Sequence, residues 1–508
     1  MNNIVGIDLG TTMSAIALLN SVGKPEIIPN KEGERLTPSF LYFESGNKIR
    51  VGGIAKNYSG QEPDNVAKEF KRQMHNSAFR LTIGGNEYSP SMLSSHVLKK
   101  MVQDASMQIG DIRDVVISVP AYFKEQERNA TIEAGRLAGL NVTAIINEPT
   151  AAALYYASSN NVTGKGIIYD LGGGTFDVTV TETDGKDVKI ITSVGDHHLG
   201  GVDFDIAILE LLQEKYRQET ASELFKENDQ GSRNEFLIEA EEVKKDLSAR
   251  SSSRKRIAGE GGKATIEITR QEFEEKISTL ISRTELLVEQ ALDEADIEES
   301  DLAYVLLVGG STRVPLVQGS VKKLLGLEPL NAVNVDEAVA LGAAIKAGLV
   351  AVQSNPTQVS SSIAQEMNSI NLGEVTNASY GTISVGIDEH TQLPVLKNTI
   401  IIKKNTPIPC EKTDTFFTMS EGQDELNFKL TQGEDTDPDF VNIVMEKNML
   451  LPSGRADSQP IEVTYKYDEN QIMTCIVRDV NSGEVKTFTA ELGSNNESNS
   501  AIDAFLVE

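Results

Sequence analysis

Two glycine turns carry the residues of this sequence that are best suited to chemistry. One lies in VGIDLGTT at 5–12 and the other in IYDLGGGT at 168–175, and each follows an apolar strand that holds an aspartate. Glycine lacks Cβ, so several backbone N–H groups can converge on an anionic oxygen, and the threonine hydroxyls add donors. We predict that the turns bind phosphate, one from each of two facing lobes of a duplicated fold. The alternative is that such turns simply recur in α/β proteins.

Carboxylates stand beside both turns. Asp8, Asp170 and Asp177 would repel a phosphate unless a hydrated Mg²⁺ lies between them and the phosphate oxygens. We therefore predict a Mg²⁺–phosphate site. The turns lack the patterns G-x-x-x-x-G-K-[ST] and G-x-G-x-x-G, which excludes a P-loop and a dinucleotide-binding fold.

Phosphoryl transfer to water also needs a cation near the terminal phosphate and a group that positions the water. Lys71 in KEFKRQ and Glu148 in INEPTAAA are candidates for these roles. The simpler alternatives are a solvated helical lysine and a glutamate that the macrodipole favours at a helix N-terminus. Residue types alone do not choose between them. Further glycine pairs at 200–201 and 309–310 could help to grip a nucleotide between the lobes.

The chain that must position these residues divides into two predicted domains. Up to about residue 352, short β-branched runs alternate with helical stretches, which predicts an α/β domain with a mixed or largely parallel sheet. Residues 353–373 are rich in Ser, Asn and Gln and read as a linker. Alternating strand patterns then predict an all-β sandwich at 374–493, followed by a short tail at 494–508.

Composition restricts the partners and the compartment. The 508 residues carry 75 acids and 47 bases, a formal charge of -28, which repels nucleic acid and anionic membranes. We expect neither as a partner. Two cysteines cannot form a disulfide framework, and the start MNNIVGIDLG has no export signal. We expect a cytoplasmic protein, and no apolar run reaches the ~18 residues of a membrane span.

A series of longer motifs follows in order from residue 6 to residue 344. They are GIDLGTT (6–12), ISVPAYF (117–123), INEPTAAA (146–153), DLGGGTFDV (170–178), LGG (199–201), VGGSTRVP (308–315) and VDEAVALGAA (335–344). On these motifs the sequence resembles the 70-kDa heat-shock chaperone family of the DnaK type. A short segment between Phe79 and Leu93 resembles the HscC-like branch of that family.

The resemblance implies an actin-like (ribonuclease H-like), duplicated two-lobed ATPase domain followed by a β-sandwich that binds peptides. The implied function is that of an ATP-dependent stress-response chaperone, which hydrolyses ATP to ADP and phosphate and binds extended apolar segments of unfolded clients. The alternative is a non-hydrolysing family member that acts as a nucleotide-gated scaffold or an exchange factor. Retention of Lys71, Thr175 and the three aspartates favours hydrolysis.

The resemblance also assigns residues to roles. Asp8, Asp170 and Asp177 would organise Mg²⁺ and flanking K⁺, Lys71 would assist hydrolysis, and Glu148 would help to place metal and water. Thr175 would contact the γ-phosphate, and Pro120 and Arg128 match the family's interdomain switch. The implied nucleotide-binding residues are Gly10, Thr11, Thr12, Met13, Gly172, Gly173, Gly174, Gly200, Gly201, Glu241, Lys244, Lys245, Ser248, Gly309, Gly310, Ser311, Arg313 and Asp336.

The second domain resembles the family's peptide-binding sandwich through KNTPIP (404–409) and FFTMSEGQDELNFKLTQGE (416–434). Leu426 would fall at the central apolar pocket, Phe428 beside it and Met419 on an arch over the cleft. Any sandwich has inward Leu and Phe residues, which is the alternative. Because many relatives carry a smaller Val in place of Leu426, we predict a narrow pocket that prefers small aliphatic side chains.

Three departures from the family pattern stand out. Only about fifteen residues follow the sandwich where relatives have a helical lid, so we expect fast peptide release. The linker INLGEVT (370–376) is less apolar than in relatives and carries Glu374 in place of Asp, which weakens the expected coupling. Ala144 stands where a basic residue of relatives engages J-domain cochaperones. A J-domain cochaperone and a nucleotide exchange factor are the partners that the resemblance implies besides clients.

Overall fold

The protein is described here from a computed structural model. The described residues are 3–44, 47–160, 162–330, 334–354, 356–388, 391–469, 471, 473–489 and 505–508.

The first lobe is built around a mixed sheet with the strand order β11-β10-β1-β2-β3. Strands β1, β10 and β11 run parallel, whereas β2 is antiparallel to both of its neighbours, β1 and β3. Its strands are β1 (Asn3–Asp8), β2 (Met13–Leu19), β3 (Pro25–Ile27), β4 (Thr37–Pro38), β5 (Leu41–Glu44), β6 (Lys48–Val51), β7 (Val66–Ala67), β8 (Leu81–Ile83), β9 (Asn86–Tyr88), β10 (Ile112–Val119) and β11 (Asn141–Asn147). Its helices are α1 (Gly53–Tyr58), α2 (Pro90–Ile109) and α3 (Glu125–Leu137).

The second lobe repeats this plan with the strand order β17-β12-β13-β14. Its strands are β12 (Val162–Leu171), β13 (Phe176–Gly185), β14 (Asp187–Asp196), β15 (Ser252–Gly259), β16 (Gly262–Thr269) and β17 (Leu302–Val308). Its helices are α5 (Gly201–Thr220), α6 (Gln230–Ala249), α7 (Arg270–Ala295) and α8 (Pro315–Leu325). In both lobes the aspartate-bearing strand pairs antiparallel with the next strand and parallel with a later one. The observed architecture agrees with the predicted duplication.

Two helices pack against each other between the lobes, namely α4 (Glu148–Ser159) and α9 (Ala338–Ser354). Alanines dominate their contact, and a core cluster that includes Ala151, Ala152, Ala343 and Ala347 lies between the two sheets. On α9, Gly342 packs so closely on the Ala151 carbonyl of α4 that a Cβ would clash. This close packing fixes the relative position of the two lobes that carry the phosphate-binding turns.

The β-rich second half begins within the predicted linker. There the structure forms α10 (Ser361–Met367), and β18 (Asn371–Val375) then joins the second lobe's sheet parallel to β14. The remaining strands are β19 (Tyr380–Ile387), β20 (Pro394–Ile402), β21 (Pro407–Ile408), β22 (Cys410–Phe417), β23 (Glu425–Gln432), β24 (Asn442–Leu450), β25 (Pro460–Tyr467), β26 (Met473–Asp479), β27 (Val485–Thr489) and β28 (Leu506–Val507).

Two antiparallel sheets with the orders β20-β19-β23-β24 and β22-β25-β26-β27 form a sandwich. Their facing sides share one apolar core that contains Leu430, Val463 and Val477. Strand β28 lies elsewhere, at the edge of a small first-lobe sheet with the order β28-β6-β5-β7. Of the predicted tail, residues 494–504 lie outside the described residues.

Candidate functional site

A cavity of about 480 Å³ lies between the lobes where both glycine turns meet. Most of the residues that the sequence nominated line it, although they come from segments far apart in the chain. These residues are Asp8, Gly10, Thr11, Thr12, Met13, Lys71, Glu148, Asp170, Gly172, Gly173, Thr175, Gly201, Glu241, Lys244, Lys245, Ser248, Gly309, Gly310, Ser311, Arg313 and Asp336.

Three of the residues nominated for the nucleotide and metal site are not on the cavity wall. Asp177 is buried behind it on β13, directly opposite Asp170 in the strand register, and its Oδ1 accepts the Ala121 N–H at 3.1 Å. Gly174 and Gly200 pack backbone to backbone, since a Cβ on Gly200 would lie 2.7 Å from the Gly174 nitrogen. These two glycines therefore shape the turns from behind.

The two turns touch each other across the cleft, which explains their glycines. A Cβ on Gly173 would collide with the Thr12 side chain, and one on Gly174 would lie 2.6 Å from Thr11 Cγ2. Within the first turn, a Cβ on Gly10 would meet the Met13 carbonyl. Only residues without Cβ allow both backbones to approach so closely. The pair therefore forms a cradle of backbone N–H groups and hydroxyls.

The acidic corner of the cavity contains one buried ion pair. Lys71 Nζ donates to Glu148 Oε1 at 2.6 Å, and both side chains are almost fully buried. Burial, followed by repulsion from Glu148, raises the pKa of Asp8 to about 7, although Ser118 Oγ donates to Asp8 at 2.8 Å. The same two causes hold the pKa of Asp170 and of Asp177 well above the ordinary aspartate value. The corner thus has more buried carboxyl groups than one lysine can pair with, and their raised pKa values favour the protonated forms until a cation binds.

This corner fits a hydrated divalent cation. Asp170 Oδ2 is buried without a hydrogen-bond partner, so it is available to a cation or to its water shell. Across the described part of the chain, no three His, Cys, Asp or Glu side chains converge closely enough to ligate a metal directly. Mg²⁺ commonly keeps several waters and uses few protein carboxylates. The donor set therefore suits a cation held through water beside a phosphate.

Helix α6 forms another part of the cavity wall and contributes both apolar and charged residues to it. Leu237 and Ile238 of α6 and Val339 of α9 line the cavity. Lys244 Nζ donates to the Gly201 carbonyl at 3.0 Å and pairs with Asp205 at 2.7 Å. A cavity that combines phosphate donors with apolar wall residues is suited to a nucleotide.

Several lining or bridging residues escaped the sequence prediction. Lys56 of α1 forms an ion pair with Glu241 of α6, which joins the lobes over the cavity. Arg72 donates to the Gly174 carbonyl at 3.0 Å and to Asp203 at 2.7 Å, again across the lobes. Arg72 directly follows the nominated Lys71, which was a usable signal. Lys56 lies in no distinctive motif.

The comparisons with known proteins agree with this geometry. The family profile described as "Hsp70 protein" matches residues 4–508. Two strains of Halobacterium salinarum have a "Chaperone protein DnaK" that is 36% identical to this chain over 506 residues, covering 97% of this chain and 75% of the relative. The chain belongs to the Hsp70 family.

Membership of the Hsp70 family carries several properties. Hsp70 proteins have the actin-like two-lobed ATPase domain and the β-sandwich that were predicted, and they bind ATP and ADP, typically with Mg²⁺. The chain is an ATP-dependent chaperone and an ATPase that binds unfolded polypeptides, and the non-hydrolysing alternative is not favoured. None of its described helices is both long and apolar enough to cross a bilayer.

In this Hsp70 chain the sandwich contacts the first lobe around Arg128, a predicted switch residue. Arg128 is 1% exposed; it donates to the Phe123 carbonyl at 2.9 Å and to Asn147 Oδ1 at 2.6 Å, and it bonds Gln471 of the sandwich. Pro120, the other predicted switch residue, precedes Ala121, whose N–H donates to Asp177. The two predicted switch residues therefore lie between the acidic corner and the sandwich.

The strand that replaces the expected linker is held by charge. Lys346 of α9 pairs with Glu374 of β18 at 3.1 Å, and both side chains are less than a tenth exposed. Gln471 Nε2 donates to the other Glu374 oxygen at 2.9 Å. Glu374, which the sequence marked as a departure from relatives, is thus the joint between ATPase domain, linker strand and sandwich.

The three predicted peptide-binding residues have different environments. Met419 is 65% exposed and Leu426 is half-buried at the margin of the sandwich core. Phe428 is only 2% exposed, and its ring stacks on Phe488 within the core. Strand alternation places Phe428 on the same face of β23 as Leu426, one step further inward. In this conformation Phe428 lies beneath the surface that a peptide could reach.

Proposed function

We propose that this cleft hydrolyses ATP through Lys71, Glu148, Thr175 and the three aspartates, and that hydrolysis controls how tightly the sandwich holds an extended apolar client segment. The main support is the 2.6 Å Lys71–Glu148 pair beside Asp8 and Asp170, where phosphate-binding turns from both lobes meet. A buried cation and carboxylate that neighbour a phosphate cradle provide the groups that phosphoryl transfer to water needs.

In this proposal each buried group has one role. Lys71 leaves its contact with Glu148 to hold a γ-phosphate oxygen, to which the Thr175 hydroxyl also donates. Glu148 then accepts a hydrogen bond from the attacking water and orients it. Bound Mg²⁺ would neutralise phosphate charge, with Asp8, Asp170 and Asp177 holding its water shell and flanking K⁺. Because the corner excludes bulk water, these charges act at low effective dielectric.

The nucleotide body would lie along the rest of the cavity. Backbone N–H groups of the glycine turns would hold the phosphates, and the adenosine would lie between α6 and the 309–313 turn. That turn is anchored by Ser311 Oγ, which donates to the Gly172 carbonyl at 2.9 Å, and by the 2.7 Å Arg313–Asp336 pair. The glycine turn at 172–175 and the proposed adenosine-binding turn at 309–313 are therefore connected by a direct hydrogen bond.

Coupling to the sandwich would follow a chain of hydrogen bonds that starts at the acidic corner. Asp177 accepts the Ala121 N–H, and the Ala121 carbonyl lies 3.4 Å from Arg128 Nη2. Arg128 in turn bonds Gln471, which donates to Glu374 of the linker strand. If Asp177 moves forward to hold the water shell of a phosphate-bound cation, it would pull on Ala121 and on Arg128. We propose that ATP favours this docked arrangement and fast peptide release, and that hydrolysis releases the sandwich to hold peptide tightly.

The test is release of a fluorescent apolar peptide after mixing with Mg-ATP or with Mg-ADP. Faster release with ATP, together with single-turnover hydrolysis of the bound ATP, is the expected result. Equal release with both nucleotides would contradict the coupling, and hydrolysis without it would leave an ATPase beside an independent binding module. We further propose a cytoplasmic location and work with a J-domain cochaperone and a nucleotide exchange factor, as in the family it resembles.

Docking of the sandwich should depend on pH through Glu125. Burial raises the pKa of Glu125 from 4.5 to about 7, its Oε2 has no hydrogen-bond partner, and Tyr380, Tyr467 and Arg128 surround it. Undocking would return the carboxyl to water and to its ordinary pKa. Docking is therefore strongest below about pH 4.5, where the Glu125 carboxyl is protonated in both states. It weakens as the pH rises, because the undocked carboxyl ionises first, and this favourable contribution is lost once the pH has passed about 7.

From pH 6 to pH 8 we therefore expect the docking equilibrium to fall about 10-fold, measured as the loss of ATP-stimulated peptide release. Glu125→Gln should remove most of this pH dependence and keep docking strong at pH 8, since the amide stays neutral. The same pH response in wild type and in Glu125→Gln would exclude Glu125 as the titrating group.

Peptide preference should reflect the width of the Leu426 pocket. We expect peptides centred on Val or Leu to bind more tightly than peptides centred on Phe, measured by fluorescence anisotropy with ADP. Leu426→Val removes one methylene, worth ~0.8 kcal/mol of apolar contact, and should shift the preference toward larger side chains several-fold. Equal affinity of the wild type for Leu-centred and Phe-centred peptides would contradict a narrow pocket.

A further inference from the structure

An extended segment of this chain occupies the edge of the small first-lobe sheet. This 505–508 segment consists of Phe505, Leu506, Val507 and Glu508, and its strand β28 runs parallel to β6. The Leu506 N–H donates to the Asn47 carbonyl at 3.0 Å, and the Glu508 N–H to the Ile49 carbonyl at 2.9 Å. In return, the Val51 N–H donates to the Glu508 carbonyl at 2.9 Å. The segment thus completes an edge strand that would otherwise leave these groups to water.

Side chains give the edge a preference for this sequence. Val507 is 5% exposed and belongs to the first lobe's core, whereas Leu506 is 55% exposed. The Phe505 ring packs edge-on with the rings of Phe43 at 6.0 Å and His96 at 6.1 Å between centroids. Alternate inward residues over a paired backbone are the usual means by which a sheet edge selects an added strand.

Charge adds a third element of recognition. Glu508 Oε2 lies 2.5 Å from Arg50 Nη1, and Glu508 Oε1 lies 3.9 Å from Lys48 Nζ. Both cations are on β6, and because Arg50 also pairs with Glu44 of β5 at 3.0 Å, the edge presents two cations beside one other carboxylate, in a chain whose formal charge is -28. A segment with an acidic residue directly after its inward valine therefore suits this edge, whereas a basic residue at that position would be repelled by Lys48 and Arg50.

The docked edge leads directly to the cleft. Strand β6 ends at Val51 and continues through Gly52 into α1, which carries Lys56, the cation paired with Glu241 of the other lobe. Lys56 and Ser59 line the nucleotide cavity, and the Ser59 carbonyl accepts a hydrogen bond from Asn234 of the opposite lobe at 2.9 Å. A strand added to β6 therefore stiffens the part of the first lobe that closes the cavity.

We propose that the β6 edge is a docking site for the chain's own 505–508 segment and that docking braces α1 over the nucleotide. Release of the segment loosens the Lys56–Glu241 closure and speeds departure of the nucleotide. The docking itself stands on the contacts above. Its effect on nucleotide release rests on the proposed function of the cleft.

Two aspartate substitutions in the full chain separate docking from a general charge effect. Val507→Asp places a carboxylate in the apolar pocket, whereas Leu506→Asp adds the same charge one residue away at an exposed position. In the nucleotide-free protein, hydrogen exchange of the peptide fragment 47–52 should become about 10-fold faster in Val507→Asp. Leu506→Asp should resemble the wild type. Exchange within β12 and β17 serves as the control for folding and should be the same in all three proteins.

The functional arm measures release of a fluorescent ADP analogue. We expect release to be about 3- to 10-fold faster from Val507→Asp than from the wild type, with Leu506→Asp unchanged. Equal exchange of 47–52 in both variants would overturn the docking site. Unequal exchange with equal release rates would overturn the bracing role. Failure of the proposed function has a different signature, since no protein would then bind the analogue while the exchange difference would persist.

Discussion

Replacing Lys71 with Met should lower the single-turnover rate of ATP hydrolysis about 10²- to 10³-fold, the usual loss when one preorganised charge or donor is removed from a transition state. Lys71 is 4% exposed, and its Nζ donates to Glu148 Oε1 at 2.6 Å in the acidic corner. Met keeps the length and apolar bulk of the side chain. Affinity for Mg-ADP should change far less than the rate, because ADP lacks the γ-phosphate.

Lys68→Met is the matched control for this change. Lys68 also lines the cavity, but it pairs with Glu69 at 3.5 Å, away from the aspartates. Its loss should alter hydrolysis by less than about 3-fold. Quenched-flow experiments with labelled ATP would measure the single-turnover hydrolysis rate of both variants. Similar rates for Lys71→Met and wild type would remove Lys71 from the hydrolytic step and favour a nucleotide-gated scaffold.

Arg128→Ala should abolish most of the ATP-stimulated release of peptide. The substitution removes the bond to Gln471 of the sandwich and leaves the buried Asn147 Oδ1 without its donor, whereas the Phe123 carbonyl keeps a hydrogen bond from Asn377 Nδ2 at 2.6 Å. Bonds to a charged group contribute about 1.5–3 kcal/mol, so we expect the stimulation to fall roughly 10- to 100-fold. Basal hydrolysis should persist, because the residues that Arg128 hydrogen-bonds in the described structure, which are Phe123, Gln471, Ala121 and Asn147, do not line the cavity.

Arg136→Ala serves as the control because it lies on the same helix, α3. Its side chain is 52% exposed and pairs with Glu133 one turn away, an interaction of small energetic value. Stopped-flow release of a fluorescent peptide should be unaffected by this change. If Arg128→Ala kept the full ATP stimulation of peptide release, the proposed coupling path from Asp177 to the sandwich would be wrong.

The phosphate-binding residues were accessible from the sequence because their chemistry is local. Asp8 and Gly10 are neighbours, as are Asp170 and Gly172, so a strand, a turn and a carboxylate can be read together. The duplication then placed the two turns opposite each other before any geometry was known. Lys71 and Glu148 were nominated with an ordinary alternative beside them, and the structure brings both into the cavity.

Contacts between segments that are distant in the chain could not be predicted from the sequence. Lys56 meets Glu241, and Arg50 meets Glu508, only because the lobes and the second half of the chain fold back on each other. No local pattern announces such pairs, since an isolated basic residue on a helix or strand usually faces solvent. The linker shows the same limit, because β18 becomes a strand by pairing with β14, a partner that the linker's own residues do not reveal.

The peptide site lies between these cases. Alternation along β23 correctly groups Leu426 with Phe428, but a two-residue period does not say how deep each residue sits. Depth depends on the opposite sheet, whose Tyr465 and Phe488 enclose the Phe428 ring.

The most direct test of nucleotide binding between the lobes is calorimetric titration of the purified chain with Mg-ADP and Mg-ATP at two temperatures. A nucleotide held between two facing glycine turns predicts saturable binding of one nucleotide per chain, which weakens strongly when Gly173→Val forces the turns apart. Absence of binding heat with either nucleotide at both temperatures would show that the cleft between the two glycine turns does not bind a nucleotide.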